Sequence, residues 1–259
     1  MAQKTDLNIS PYYDDFDKSK NFYKVLFKPG FPVQARELTT LQSILQNQVE
    51  SFGSNIFKEG SMVLPGAITF DNEYSAVKLN AINLGVDISV YINNTIGKTI
   101  TGQSSGVSAT IKNVVFTTDS DEVDNLTIYV KYGNAGIDSE TTIFTPGEQL
   151  TASENITFGN TVINSGTVFA SVLEQDAIFT GAAASIDNGV YFVRGNFVNV
   201  TKQTLILDFY TNTPSYRVGL KVSETIVNAK DDSSLYDNAK GFTNFAAPGA
   251  DRFKIGLTL

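Results

Sequence analysis

Between Gln34 and Phe52 the chain places Leu38, Leu41, Leu45, Val49 and Phe52, followed by Ile56, each three or four residues apart, with no Pro or Gly inside the run. That spacing puts the apolar residues on one side of an α-helix, so an amphipathic helix is predicted over 34–52. Pro32 stands ahead of it and Gly53 behind it, where each residue is tolerated at a helix start and useful at a helix stop. At 1.5 Å per residue the helix would be roughly 28 Å long. Two readings compete for the stripe. In one it packs into a domain core. In the other it meets another chain. On either reading an Asp at Leu41 or Leu45 puts a charge into the stripe and is expected to destabilise the chain or its assembly severely. Gln42, Gln46 and Gln48 add an uncharged polar face that desolvates at lower cost than Lys or Glu, so different faces can serve both.

The rest of the chain is punctuated differently. Leu7 to Pro32 mixes turn formers with aromatics and reads as an extended arm, anchored by burial of its rings. After Gly53 come strand signals. Val86, Ile88, Val90 and Ile92 alternate with polar neighbours, as do Leu126, Ile128 and Val130, which predicts half-buried strands. From about Leu84 to Leu173 short strands are separated by Gly, Asn, Ser and Thr, the pattern of a small sandwich or barrel. Strands resume with a hairpin hinged near Gly195, then at Thr204–Phe209, Arg217–Val222 and Phe253–Leu259. The expected fold is therefore mainly β, of β-sandwich or barrel-like modules, with one long N-terminal amphipathic helix. Its expected organisation is an arm over 1–33, a framework over 34–83 and 174–259, and an inserted β module over 84–173.

The absence of cysteine rules out disulfides and thiolate chemistry, so packing alone must hold the fold. Histidine is absent too, which removes the usual general base and the usual catalytic zinc ligand. A net charge of −8 gives the surface no general attraction to nucleic acid or an anionic membrane. Neither an apolar leader nor a membrane-length apolar run is present, so synthesis in a cytoplasm and no membrane insertion are expected.

Gly102-Gln103-Ser104-Ser105-Gly106 has the form of a nucleophile elbow but lacks both a histidine and a following helix, so it reads as a turn. Gly97-Lys98-Thr99 lacks the first glycine of a phosphate-binding loop, which Ile92 replaces. Asp119, Asp121, Glu122 and Asp124 are dense enough for calcium, yet Val123 breaks the ligand spacing. Asp14, Asp15 and Asp17 offer a carboxylate pair of the kind that hydrolyses glycosides, although they lie in the arm. No catalytic, cofactor-binding or metal-ligating residue is assigned, no cofactor is expected, and the chain reads as a non-enzyme.

Several segments together resemble a known family. They are Asn8 to Phe16, Phe31 to Gln42, Phe57 to Ser61, Tyr191 to Gly195, Pro214 to Gly219, and Ala246 to Arg252 with its run Ala-Ala-Pro-Gly-Ala-Asp-Arg. The chain resembles tailed-bacteriophage structural proteins of the baseplate and tail fibre, found among myovirus and cyanophage-like virions and carrying a domain of unknown function. The resemblance covers most of the chain, is weakest over 84–173, and implies a virion location with attachment to neighbouring tail proteins, often as a homotrimer. It also implies relatives that continue past the last of these segments. On this footing the framework docks on the virion, and the interface candidates are Tyr12, Tyr13, Phe16, Phe31, Leu38, Leu41, Leu45, Val49 and Phe52. One alternative is a carbohydrate-binding adhesion module that meets a host-surface glycan on Tyr91, Tyr129 and Tyr132. A polysaccharide-degrading enzyme acting through two carboxylates is the other.

Overall fold

A computed structural model describes residues 3–259, and its contacts divide them into two compact units. The first holds the described residues up to Ile68 together with Ser185–Gln203 and Val218–Leu259, and the second holds Thr69–Ala184 with Thr204–Arg217. The fold is mainly β with a single α-helix among the described residues, and its sandwich-like sheets do not close into a barrel.

In the first unit the arm has almost no regular structure and leads into helix α1 (Ala35–Ile56). Gln34 sits in extended backbone ahead of the helix, and the Glu37 carboxylate reaches back to accept its N–H at 2.9 Å, one arm of a capping box. Strand β1 (Ser61–Leu64) follows.

The second unit is built on β2 (Ile68–Lys78), β5 (Thr99–Gly102), β6 (Ser108–Val115), β7 (Thr127–Asn134) and β8 (Gln149–Ala152). It also takes β11 (Val168–Ser171), β12 (Ile178–Ile186) and β15 (Gln203–Asp208), with two small ribbons, β3 (Ile82–Asn83) with β4 (Val86–Asp87) and β9 (Ile156–Phe158) with β10 (Thr161–Ile163). The eight long strands form one sheet in the order β11-β8-β5-β6-β7-β2-β12-β15. Ile128 and Val130 of β7 pack into one core with Ile100, Ile111, Leu150 and Phe169, while Tyr129 between them packs on the other face with Tyr74 and Ala183. Both faces of β7 are thus covered, and the half-buried strand expected at 126–130 is buried throughout. The unit also starts earlier and ends later than 84–173. Residues 69–83, 174–184 and 204–217, expected in the framework, belong to this unit because β2, β12 and β15 complete its sheet.

Val86 to Ile92 departs from the expected strand. Only Val86 and Asp87 are extended, and two 3₁₀ turns follow at Ile88–Val90 and Ile92–Thr95. Asp87 caps the first by accepting the Ser89 N–H at 2.8 Å, and the buried residues are Ile88, Tyr91, Ile92 and Thr95, a helical spacing. Val86 and Val90, which the alternation had placed inside, are exposed.

Back in the first unit, β13 (Gly189–Val193) and β14 (Asn196–Val200) form a hairpin in which Val193 faces Asn196, so the turn is the pair Arg194-Gly195, both at positive φ. β1 pairs with β13 to complete a three-stranded sheet. β16 (Lys221–Val227) pairs with β17 (Arg252–Thr258), four residues later than the strand expected from Arg217, and Leu257 joins the core of Ile186, Tyr191, Val193, Val198 and Val200.

Gly53 is not the helix stop that its position predicted. The helix runs through it, and a Cβ there would stand 2.6 Å from the Phe192 ring, which is itself buried beside Phe57 and Phe197. Close approach of helix to hairpin is therefore the reason for glycine. Gly53→Val is expected to cost about 1–3 kcal/mol through overpacking. Thermal unfolding of the purified variant checks this, and an unchanged melting temperature would show that the contact is slack.

Candidate functional site

The residues of α1 that meet their own unit are not the leucines. Ile44 is buried, Gln46 donates its side-chain N–H to the Gly195 carbonyl at 2.9 Å, and Gly53 lies against Phe192. Thr40 and Ser43 donate to the buried Asp14 of the arm, the first at 3.2 Å. The inward face therefore holds one buried apolar side chain, Ile44, among small, polar and amide ones. The leucine stripe points the other way: Leu38 is 50% exposed, Leu45 59%, Val49 45%, Phe52 71% and Ile56 59%, with Leu41 half-buried at the margin. The reading of this stripe as core-packed is corrected here. Amphipathicity placed the apolar residues on one side correctly but says nothing about which side meets the domain. Burying the area that each of these side chains leaves exposed would contribute roughly 1 kcal/mol apiece.

The arm repeats the pattern. Tyr12 and Phe16 are half-buried, while Tyr13, Phe22, Tyr23, Phe27 and Phe31 are exposed, so ring burial does not anchor it. Polar pins do. Asp15 pairs with Arg36 at 2.9 Å and the Tyr12 hydroxyl donates to Asp251, whose carboxylate raises the Tyr12 phenol pKa. At its start the arm is held by Glu224 of β16, which accepts the backbone N–H groups of Lys4 and Thr5 at 2.8 and 2.6 Å, the Thr5 hydroxyl, and the Arg194 guanidinium. Of the interface candidates, Tyr13, Phe31, Leu38, Leu45, Val49 and Phe52 are open to solvent, and Tyr12, Phe16 and Leu41 are partly covered. Phe22, Tyr23 and Phe27, arm rings that the sequence also offered for wrapping a neighbour, are exposed, and sequence reasoning missed Ile56 and Leu26, although the same spacing and composition marked them.

The Glu224 cluster carries a pH dependence. Burial pushes the carboxyl up, but the hydrogen bonds from Thr5, Lys4 and Arg194 outweigh it and leave the pKa at about 2, below its ordinary 4.5. A carboxylate whose folded value is depressed stabilises fully above the unfolded value and loses that contribution as pH falls through the folded one. Anchoring of the arm should therefore be intact above pH 4.5 and weaken between 4.5 and about 2. Amide NMR signals of Lys4 and Thr5 should titrate in that window and become flat in Glu224→Gln. Identical titration in both proteins would remove Glu224 from the anchor.

The residues weighed for chemistry have local occupations. Asp14 holds Ser43 and Thr40, and Asp17 takes the Ser19 hydroxyl and N–H at 2.7 and 2.9 Å, bonds that lower its pKa. Asp124 pairs with the buried Lys78 at 2.7 Å, which lowers its pKa, and that lysine's Nζ lies over both the Phe179 and the Tyr210 rings at 4.6 and 4.3 Å. Among the described residues no group of three or more acids converges as a metal site. Lys98 of the loop Gly97-Lys98-Thr99 pairs with Glu154 at 3.1 Å.

Gly102 to Gly106 is a tight turn closed by the Gly106 N–H on the Gly102 carbonyl at 2.9 Å, with Ser104 exposed. Its neighbour Ser105 is buried against Glu148. The tyrosines proposed as glycan platforms are withdrawn from solvent. Tyr91 donates to the Phe169 carbonyl at 2.6 Å, Tyr129 is fully buried, and Tyr132 packs edge-on to Phe144 with its pKa pushed up to about 12 by burial. No helix among the described residues is long and apolar enough to cross a membrane.

Comparison with known families matches one family model, described as "Domain of unknown function (DUF4815)", over residues 10–145 and 148–259. Comparisons with curated proteins and with solved structures find no match.

Proposed function

The chain belongs to the DUF4815 family, and from that premise we propose that it is a non-enzymatic structural component of a tailed-phage virion. Its place in this reading is the baseplate or tail-fibre attachment region, where it assembles with other tail proteins and with further copies of itself. The observation that carries the proposal is the inverted helix: apart from Ile44, α1 turns mainly polar and small residues toward its own unit and keeps Leu38, Leu45, Val49, Phe52 and Ile56 in water. An exposed apolar stripe backed by a satisfied polar face marks a surface that is finished by another chain. The arm supports the same reading, since polar bonds hold it at Lys4, Thr5, Tyr12, Asp14 and Asp15 while its rings stay available to wrap a neighbour. The local engagement of Asp14, Asp17 and Asp124, with the turn geometry around Ser104, favours a scaffold over a hydrolase.

Cryo-electron imaging of intact particles tests this directly. Density for the chain should lie in the tail or baseplate, with α1 or the arm against a different polypeptide or another copy. Particles that lack the chain, or that hold it with both segments facing only solvent, would overturn the reading.

A further inference from the structure

The outward residues of α1 do more than form a stripe. Leu38, Gln42, Leu45, Val49, Phe52 and Ile56 are separated by four, three, four, three and four residues, an unbroken 3.5-residue period. In heptad terms Leu38, Leu45 and Phe52 occupy d, and Gln42, Val49 and Ile56 occupy a. Each of the six is exposed, and the helix is continuous from Ala35 to Ile56, through Gly53. An ordinary surface helix turns such residues inward. This one presents a complete seam to solvent.

We propose that the seam pairs in parallel and in register with α1 of other copies of this chain, forming a short coiled coil at the centre of a homo-oligomer. The proposal rests on the assembly role above and names its partner. Charge argues for self-pairing. Positions flanking a seam choose heterologous partners through ion pairs, and here they are Thr39, Leu41, Gln46, Gln48, Gly53 and Asn55, none of them charged. Between Leu38 and Ile56 the single charged residue is Glu50, whose side chain lies beside Gly195 on the inward face. Copies of a chain with net charge −8 can therefore meet along this line without opposing like charges at close range.

Gln42 sets the direction. In a parallel, in-register arrangement each layer meets itself, and the Gln42 amides hydrogen-bond to one another inside the seam. In the antiparallel arrangement centred on the same heptads, Gln42 falls opposite Phe52 and its amide is buried without a partner, which is costly. The surface that complements this seam is an apolar heptad with an amide in the same layer, and α1 itself supplies one. Closure by two or by three helices brings the same layers together.

The absence of cysteine makes the test clean. Leu45→Cys places a thiol in a d layer, and Ser54→Cys places one on an exposed position away from the seam. In purified full-length protein under mild oxidation, Leu45→Cys is expected to form an interchain disulfide at least tenfold faster than Ser54→Cys, with sedimentation of the parent showing two or three chains per particle. A monomeric parent with no preference between the two thiols overturns the proposal. So does cross-linking that needs a mixture of Leu45→Cys and Val49→Cys chains, the antiparallel signature. If self-pairing fails while α1 contacts a different protein in the virion, the assembly role stands and only this partner assignment falls. Absence of the chain from the particle is the separate failure of the role itself.

Discussion

Replacing Glu148 with alanine is expected to destabilise the second unit by about 3 kcal/mol or more, seen as a lower urea midpoint at unchanged slope. Glu148 is buried, yet its carboxylate is fully used: it accepts the Ser105 N–H at 3.1 Å, the Ser105 hydroxyl at 3.0 Å and the Thr145 N–H at 2.5 Å. It thereby fastens the turn after β5 to the segment that enters β8. Removing the carboxylate leaves the two donors of buried Ser105 without an acceptor and releases the Thr145 N–H, and the cost of such orphaned buried groups exceeds the mean worth of a hydrogen bond. Glu148→Gln keeps the shape but turns a donor toward donors, so an intermediate loss is expected. Gly102 fits the same picture, because any Cβ at that position would overlap the Glu148 carboxylate. A midpoint for Glu148→Ala equal to that of the parent would mean that water takes over all three bonds.

The second large effect falls on assembly and spares the fold. With Leu45→Asp and Phe52→Asp together, the isolated chain should melt within roughly 0.5 kcal/mol of the parent, since both side chains already stand in solvent. Incorporation into particles, or self-association, should fall by at least a hundredfold, about 2.7 kcal/mol, because two charges would enter an apolar contact. A helix packed into a core by its leucines gives the reverse result, an unfolded chain. Circular dichroism melting alongside particle composition separates the two, and a large drop in melting temperature would restore the core-packed reading.

How far the sequence could be read differs by element. The existence of α1 was legible, since apolar spacing at 3.6 residues is a local property of the chain, whereas the Gln34 to Glu37 capping contact was not read in advance. The hairpin at Arg194-Gly195 was legible for the same reason, with a turn dipeptide between two apolar runs. Val86 to Ile92 was misread because an alternating run and a helical one both contain residues four apart, such as Ile88 and Ile92, and Asp87 decided for the turn. Tyr91 looked available because its run was read as a strand, whereas the 3₁₀ turns bring it to the buried side with Ile88 and Ile92; Tyr129 looked available because a strand pattern cannot say whether its second face is covered. Here β7 lies inside an eight-stranded sheet with a core on each side.

By itself, then, the sequence determined a mainly β chain with one amphipathic helix, an aromatic arm and no thiol or imidazole chemistry, because periodicity and composition act over a few residues at a time. The tertiary structure decided the rest. It decided that the apolar side of α1 faces solvent, through Gln46 on Gly195, Gly53 on Phe192 and Ser43 on Asp14. It decided that polar bonds hold the arm, through Glu224 some 220 residues away in the chain. It also decided that Glu148 locks a turn 43 residues before it. Each of these is a contact between segments far apart in sequence, and a local pattern records that a residue is apolar or charged without recording what it will meet.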